Sequence, residues 1–565
     1  MKLHPIRDLS QTKYRPKRAE RSALDDARFK LMILGIIFFI AYILIALRLT
    51  ELSFHWGTEK NFKYVPIPLF STKRADILDT HGNIIATNLI TSSLFSSPRD
   101  ILDINDTAKK LSSVLTNLSS QEIKTKLQKN KNFVWLARNI TPTQKIKTLA
   151  LGLPGIEFSK EEKRVYPHGK IAAHIVGFTN IDNNGLAGIE RFFNKQLLSS
   201  NTPLHLTLDM HIQAALEDEL MHAINKFKAK RANAIIMDAN TGEIIAMASL
   251  PSYDPNLPGN IKKKNLFSPN TLGVYDLGSI FKIFTAAMAL DSGKITLKGG
   301  YDATKPIKVG KFTISDYLGG EKRWLSLPEI ILYSSNIASA KMALDVGADL
   351  QKNFLKKLGL FKKVPIELPE RGTPITPSFW GDVTTMTVSY GYGLAVSPLH
   401  IVRAFAALIN GGYLLKPTLI KNNPITSVKT QVISEKTSKK IQKLLYLVTQ
   451  KGTARKASVP GYFVGGKTGT AEKRNVGGKG FLKKSNITSF LGAFPIHKPK
   501  YVIYIQLDDP QGTEETHGFR AAGWNAAPTA GAIIRRIIPL VNMLPETNND
   551  IYKLLHLDLE KDRFS

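Results

Sequence analysis

At 565 residues, 43% apolar and 22% charged, the chain is long enough for two folded units and too ordinary in composition to be largely disordered. It has no cysteine, which excludes disulfide frameworks, cysteine nucleophiles and thiolate metal sites. The formal charge of +31 is spread along the chain, and the field attracts anionic polymers, but the lysines are not interleaved with aromatics as a nucleic-acid surface requires.

Leu31 to Leu47 carries no charge, and Phe29 and Leu49 extend the apolar run past Lys30 and Arg48. Such a stretch of 17 to 19 residues sits at the short end of a membrane-spanning helix. Arg48-Leu-Thr-Glu-Leu follows where a signal peptide would carry a small-residue cleavage site, so the segment reads as an uncleaved anchor. Lys2, Arg7, Lys13, Arg15, Lys17, Arg18, Arg21, Arg28 and Lys30 all precede it, and the positive-inside rule keeps that end in the cytoplasm. Everything after residue 50 is then expected outside. The expected divisions are a basic tail at 1–30, an anchor at 31–49, a mixed α+β region at 50–225, a catalytic domain at 226–545 and a C-terminal tail at 546–565.

After the anchor, Arg74 to Ala86 reads as two short strands about a turn near His81-Gly82. Ser119-x-x-Glu122 and Thr141-Pro-Thr-Gln144 are capping boxes opening helices, with strand character between them from Phe133 to Ala137. No catalytic constellation falls in this region.

From Ala234 the pattern becomes a hairpin, Ala234–Asp238 and Glu243–Ser249 about a turn with Asn240 and Gly242. Thr488–Phe494 and Tyr501–Leu507 form a second strand pair, Pro528–Leu540 is helical, and a long apolar helix stops at Asn410-Gly-Gly412. Strands at both ends of a helical middle predict one sheet assembled from distant segments, with helices packed on it.

Three short motifs lie in that frame. Ser279-Ile-Phe-Lys282 opens an apolar run to Leu290, and the three-residue offset puts Lys282 on the face of Ser279 one turn further in. A free lysine near pKa 10.4 is almost wholly protonated at neutral pH; burial lowers that by roughly 3 to 5 units, and a helix N-terminus acts the same way. Lys282 could then accept the serine proton. Ser334-Ser-Asn336 supplies a hydroxyl that can relay a proton and an amide that can hold a lysine and a substrate carbonyl. Lys467-Thr-Gly-Thr470 follows Tyr462-Phe-Val464, which can enter a strand; Gly469 removes a side chain so that a peptide could pair along the edge, and Lys467 with the threonine hydroxyls suits a terminal carboxylate.

Each motif alone is weak: Ser10-x-x-Lys13 and Ser268-x-Asn270 repeat two of them. Gly461 to Thr468 also satisfies the phosphate-loop pattern, although bulky Tyr-Phe-Val fills the loop and Gly469-Thr470 stands where a helix should begin. Neither G-x-S-x-G nor H-E-x-x-H occurs, and the twelve histidines show no metal spacing.

Taken in order, the motifs resemble those of the penicillin-recognising serine acyltransferases, specifically the class B penicillin-binding proteins, over most of residues 70 to 540. Arg74 to Ala86 is similar to the pedestal signature R-G-x-I-x-D-R-x-G, and Arg164 to Phe178 to a second one; Leu206–Asp209 and Glu243–Pro255 are similar to the entry into the catalytic domain. Ala75 and Thr80 stand where the signature usually has Gly and Arg, and Leu277 where Pro is common. Ser389–Pro398 and Thr516–Pro528 look most like the division-specific, septal member.

The resemblance implies an α+β fold: one transmembrane helix, an extended pedestal, then a transpeptidase domain with an antiparallel sheet flanked by helices and a helical subdomain. Ser279 would be the acylated nucleophile and Lys282 its base; Ser334 and Asn336 would assist proton transfer and placement. Lys467, Thr468, Gly469 and Thr470 would bind the peptide carboxylate, and the amides of Ser279 and Thr470 would form the oxyanion hole. The reaction would be attack on the D-Ala-D-Ala bond of a peptidoglycan stem, release of D-alanine and transfer to a neighbouring amine, without metal or cofactor. Expected partners are stem peptides and their lipid-linked precursor, β-lactams bound covalently, a polytopic septal glycosyltransferase and other division-complex membrane proteins; nucleic acid is not among them. The expected location is the inner membrane, single-pass, with the catalytic domain outside. An elongation-type transpeptidase is the runner-up. A penicillin sensor or scaffold without turnover is a different class of reading, and a β-lactamase would need a water-activating group not assignable here.

Overall fold

The computed structural model describes residues 17–55, 74–129, 131–310, 312–421, 429–474, 481–547 and 549–557. The chain forms two units, residues 1–70 and 71–565. In the first, one helix of 39 residues, Lys17–His55, extends about 58 Å at the usual rise per residue. Its Asp25–Glu51 stretch is long and apolar enough to cross a membrane. Phe29 to Leu49 present apolar side chains around the whole helix, a surface that needs an apolar surrounding. Lys2, Arg7, Lys13 and Arg15, and the chance repeat at Ser10, lie outside the described residues.

The second unit opens on a five-stranded sheet. Val134–Ile140, Ile84–Ser96, Ile77–Leu78 and Leu204–His205 follow one another, and Ile156–Val165 pairs along the long Ile84–Ser96 strand. The turn at His81-Gly82 forms because Asp79 accepts the His81 and Asn83 N–H groups, both at 2.8 Å. Both capping boxes are present, opening helices Ser120–Leu127 and Pro142–Ala150. Leu94, Leu111, Ile123 and Leu136 close a small core between sheet and helices.

Beside it lies a buried charge cluster built by the two pedestal-like segments. Glu190 is fully buried between two guanidiniums: Arg74 Nε donates to its Oε2 at 2.6 Å and Arg164 Nε to its Oε1 at 2.7 Å. Arg74 also donates to the Glu190 and Asn183 carbonyls and to Asn194 Oδ1. Burying these charges is tolerable only because almost every donor finds an acceptor, and removing the shared carboxylate would leave two uncompensated cations. Glu190→Ala is therefore expected to cost about 3–5 kcal/mol locally. Hydrogen exchange should show earlier opening of the strands at 84–96 and 156–165, and unchanged protection there would contradict the account.

The main sheet is antiparallel throughout, in the order Gly465–Arg474, Phe481–Phe494, Tyr501–Asp508, Arg231–Asp238, Ile244–Leu250. The predicted assembly from distant segments is present; the chain between residues 250 and 465 supplies most of the helices, and Met210–Phe227 and Ala526–Ile537 supply two more. Gly465–Arg474 is the open edge. One helix in front, Phe281–Asp291, is buried from Phe281 to Leu290, which accounts for the absence of a polar face in that run.

Several expectations need correction. The boundary expected at residue 225 falls inside helix Met210–Phe227, which belongs to the main sheet: Gln213 exchanges two hydrogen bonds with the Met247 backbone, and Ile212, Leu216 and Leu220 are buried. Tyr462–Val464 does not enter the edge strand, which begins at Gly465; Phe463 takes φ +44° and turns its ring into the core against Tyr446 and Tyr552. The segment expected as a tail from residue 546 is folded back as far as the described residues reach. Helix Asn549–Leu555 buries Leu555, and Glu546 N–H donates to the Gly461 carbonyl at 2.8 Å. Residues 558–565 lie outside the described residues.

The two sheets are joined at the His81 turn, where Thr80 N–H donates to the Leu208 carbonyl at 2.8 Å and His81 Nε2 lies 2.9 Å from Asp209 Oδ2, and along residues 166–188. Asn256 brackets the Tyr166 backbone with two hydrogen bonds of 3.0 Å, and Ser252 Oγ donates to the Lys170 carbonyl at 2.9 Å. Tyr253 OH donates to the Ala173 carbonyl at 2.8 Å, while Glu217 accepts the Ala172 N–H at 2.8 Å and Glu370 the Gly188 N–H at 3.3 Å. His174 contributes its side chain: burial pulls its pKa down to about 4, so the ring is neutral and Nε2–H can donate to the Asn265 carbonyl.

Candidate active site

Ser279 lies in a tight turn, Gly278–Ile280, that feeds directly into helix Phe281–Asp291. Gly278 has φ +56°, and a Cβ there would sit 2.7 Å from the Thr470 carbonyl oxygen, so only glycine allows the turn to press against the edge strand. Gly469 makes the same contact from the strand side, where a Cβ would lie 2.6 Å from the Leu277 carbonyl oxygen. Beside the expected reason for Gly469, room for a bound peptide, stands this one: it packs the strand against the Ser279 turn.

Ser279, Lys282, Ser334 and Lys467 come together in one hydrogen-bonded chain. Lys282 Nζ lies 3.0 Å from Ser279 Oγ and 3.0 Å from Ser334 Oγ, and also donates to the Ser334 carbonyl. Lys467 Nζ reaches Ser334 Oγ from the other side at 3.1 Å and donates to the Thr468 carbonyl at 3.2 Å. Both lysines are almost completely buried, whereas the two serines are partly exposed at the cleft. A serine hydroxyl has one hydrogen and two lone pairs, so Ser334 between two amines can pass a proton from one to the other.

Burial, with the nearby positive charge of Lys467 adding to it, holds Lys282 well below the ordinary lysine range, and Asp316 pulls weakly the other way. Burial alone brings Lys467 down to about 7. Two cations at this spacing in a dry site repel, so near neutral pH the pair is poised to share one proton. That is the state an acylating serine needs: one neutral amine as base and one charged amine beside it.

Ser334 reaches this position because it ends helix Leu327–Tyr333 in the left-handed conformation, φ +58°. Ser335 is the cap of the following helix, Asn336–Val346, and accepts the Ala338 N–H. The capping role natural to an S-x-N motif thus falls on its middle residue and leaves Ser334 free for the lysines. Asn336 does not touch Lys282: its Nδ2 donates to the Ser315 carbonyl at 2.9 Å. Thr468 Oγ1 lies 2.6 Å from Thr453 Oγ1, and Thr470 Oγ1 accepts the Ala522 N–H at 3.1 Å, leaving the Thr470 hydroxyl hydrogen to donate elsewhere.

Sequence reasoning missed Asp316, which holds the second motif in place by accepting Ser335 Oγ–H at 2.7 Å and the N–H groups of Asn336 and Ile337 at 2.5 and 3.0 Å. It sits twenty residues before Asn336 in an irregular segment, with no local signal except a carboxylate among turn residues. The chance motif at Ser268-x-Asn270 is structural: Asn270 is buried, donating to the Ala248 carbonyl at 2.6 Å and accepting Asn233 Nδ2–H at 2.8 Å. The phosphate-loop pattern fails because Gly465–Arg474 is a strand paired with Phe481–Phe494, whereas a phosphate loop must open a helix.

Residues 232–535 match the family model for the penicillin binding protein transpeptidase domain, and residues 70–203 that for the penicillin-binding protein dimerisation domain. Over 487 residues the chain is 36% identical to the probable peptidoglycan D,D-transpeptidase FtsI of Caulobacter vibrioides, covering 84% of this chain and 82% of that one. It is 28% identical over 523 residues to the peptidoglycan D,D-transpeptidase FtsI of Escherichia coli K12, covering 86% and 87%. Among solved structures, penicillin binding protein 3 of Mycobacterium tuberculosis, complexed with aztreonam, superposes with a TM-score of 0.67 at 23% identity, covering 85% of this chain and 98% of that one.

Proposed function

The chain belongs to the penicillin-binding protein transpeptidase family, and we propose that it cross-links the stem peptides of septal peptidoglycan through an acyl-enzyme on Ser279. It is a serine-type D-Ala-D-Ala transpeptidase. The observation that carries the assignment of residues is the unbroken chain Ser279 Oγ, Lys282 Nζ, Ser334 Oγ, Lys467 Nζ.

In this reading Lys282, neutral, takes the proton of Ser279 as its Oγ bonds to the carbonyl carbon of the penultimate D-alanine. The tetrahedral oxygen is received by the amides of Ser279 and Thr470. As the C–N bond breaks, the leaving D-alanine nitrogen takes a proton delivered through Ser334. An amine of a second stem then attacks the ester, gives its proton back through the same groups, and Ser279 is restored. Lys467, charged, faces the donor's terminal carboxylate together with the Thr468 and Thr470 hydroxyls, while Asn336 orients the stem's amide. A β-lactam presents the same carbonyl and carboxylate and is trapped as an ester on Ser279.

The first sheet belongs to the pedestal, and the transpeptidase domain begins at helix Met210–Phe227. The Asp25–Glu51 stretch anchors the protein once in the inner membrane with the basic end cytoplasmic. Septal use is supported by the likeness to two FtsI proteins. It implies a polytopic glycosyltransferase and other division proteins as partners, with lipid-linked precursor as the upstream substrate. The test is to supply the full chain with nascent glycan made from that precursor: free D-alanine and cross-linked stems should appear in equal amounts, and both should vanish with a β-lactam. Glycan that stays uncross-linked would overturn the activity. A tagged copy confined to the sidewall and absent from midcell would overturn the septal role.

A further inference from the structure

The edge strand that lines the cleft loses its regular pairing just beyond the site. Its ladder with Phe481–Phe494 is continuous from Gly465 to Glu472 and then breaks register before Arg474. A bulge of this kind re-aims a side chain, and here Arg474 turns onto Asp276, three residues before Ser279. Arg474 Nη2 donates to Asp276 Oδ1 at 2.9 Å and Nε to Oδ2, a two-pronged pair with the carboxylate buried. Asp276 Oδ1 also accepts the Gly393 N–H at 3.1 Å. The loop that carries Gly393 is tied to both neighbours: Gly278 N–H donates to the Gly391 carbonyl at 3.2 Å, and Glu472 N–H to Tyr392 OH at 3.3 Å.

We infer that Asp276 is a positioning residue for acylation: through Arg474 and Gly393 it fixes the separation between the Ser279 turn and the strand carrying Thr470. The inference rests on Ser279 being the acylated nucleophile. Asp276 touches neither Ser279 nor Lys282. Its carboxylate is the point where the nucleophile turn, the end of the edge strand and the loop at 390–393 meet. Sheet pairing on one side holds the strand without a break as far as Glu472, where Tyr392 also meets it; beyond the bulge the Arg474–Phe481 pairing and the Lys473–Asp508 contact hold the sheet side, and this ion pair holds the side of the Ser279 turn. The oxyanion site is made of one amide from each side of the junction, so slack there lengthens one of its two hydrogen bonds, and a misplacement of about 1 Å can cost about 100-fold in rate.

The test follows acylation of the full chain by a fluorescent penicillin over a concentration series, separating the limiting rate from the half-saturating concentration. Asp276→Asn keeps the side-chain shape and an acceptor for Gly393 but loses the charge; Arg474→Gln removes the other half. Each is expected to lower the limiting rate about 10- to 100-fold and leave the half-saturating concentration within about twofold. The double variant should be no slower than the worse single within about twofold, because both report one pair, and Arg474→Lys should recover part of the loss. A limiting rate in Asp276→Asn equal to wild type, or single effects that multiply in the double, would overturn the inference alone. A wild-type chain that does not label, or labels as well with Ser279→Ala, would instead sink the assignment of the nucleophile and this inference with it.

Discussion

Ser279→Ala is expected to lose covalent labelling by penicillin and cross-linking activity together, by a factor on the order of 10⁴ to 10⁶. The change removes the atom that forms the ester and little else. Ser279 Oγ accepts one hydrogen bond from Lys282, which keeps its two contacts to Ser334, so the loss in stability should stay near 1 kcal/mol. Ser334 Oγ is equally close to Lys282 and is the natural candidate for a substitute nucleophile. It cannot serve as one, because it lies between two amines at the end of a helix, whereas Ser279 opens a helix whose N-terminal amides favour the negative charge of the intermediate. Covalent labelling read by gel fluorescence decides the matter: a band of wild-type intensity in Ser279→Ala would refute the assignment.

Removing the base should cost less. Lys282→Met keeps a buried stem of similar length without the amine, and acylation is expected to fall about 10² to 10⁴-fold, the usual worth of a positioned general base. The pH profile gives a sharper reading. Lys282 must be neutral, and its depressed pKa means that acylation falls as pH drops and the pair takes up its second proton. Lys467, brought down to about 7 by burial, must stay charged to attract a carboxylate, so apparent substrate affinity should fall as pH rises above that value. The product of the two is a bell in the second-order acylation rate. In Lys282→Met the acid limb should disappear while the alkaline limb remains. A bell unchanged in that variant would show that another group is the base.

The parts of this molecule legible in its sequence are those with a local physical cause. The two capping boxes, the hairpin at residues 234–249 and the uncharged run from Leu31 to Leu47 each contain their own reason for folding. The serine–lysine offset was legible for the same reason, since one helical turn is a property of the residues between. Phe463 was not: three apolar residues in a row look like a strand, and only the core formed by Tyr446 and Tyr552 explains why the middle one turns inward at positive φ. Asp316 and Asp276 were invisible because each acts on a segment brought near by the fold. The packing role of Gly469 was not legible because its crowding comes from Leu277, nearly two hundred residues earlier. Helix Met210–Phe227 went to the wrong region because no change in composition marks where one sheet's territory ends.

Five of the residues that meet across the seam between the two sheets offer backbone on one side and are answered by side chains on the other. Tyr166, Lys170, Ala172, Ala173 and Gly188 offer carbonyls and N–H groups, and Asn256, Ser252, Glu217, Tyr253 and Glu370 answer them. Heredity should then leave unequal marks on the two partners. On the first side these hydrogen bonds ask only that the path of the chain survive, and the side chains of Tyr166, Ala172 and Ala173 are held instead by the core they are buried in; on the second, each answering residue is tied to its post. A foreign first sheet of the same chain path would keep these backbone contacts on a graft, but it would still have to match the shared core at Ile175, Val176 and Phe178.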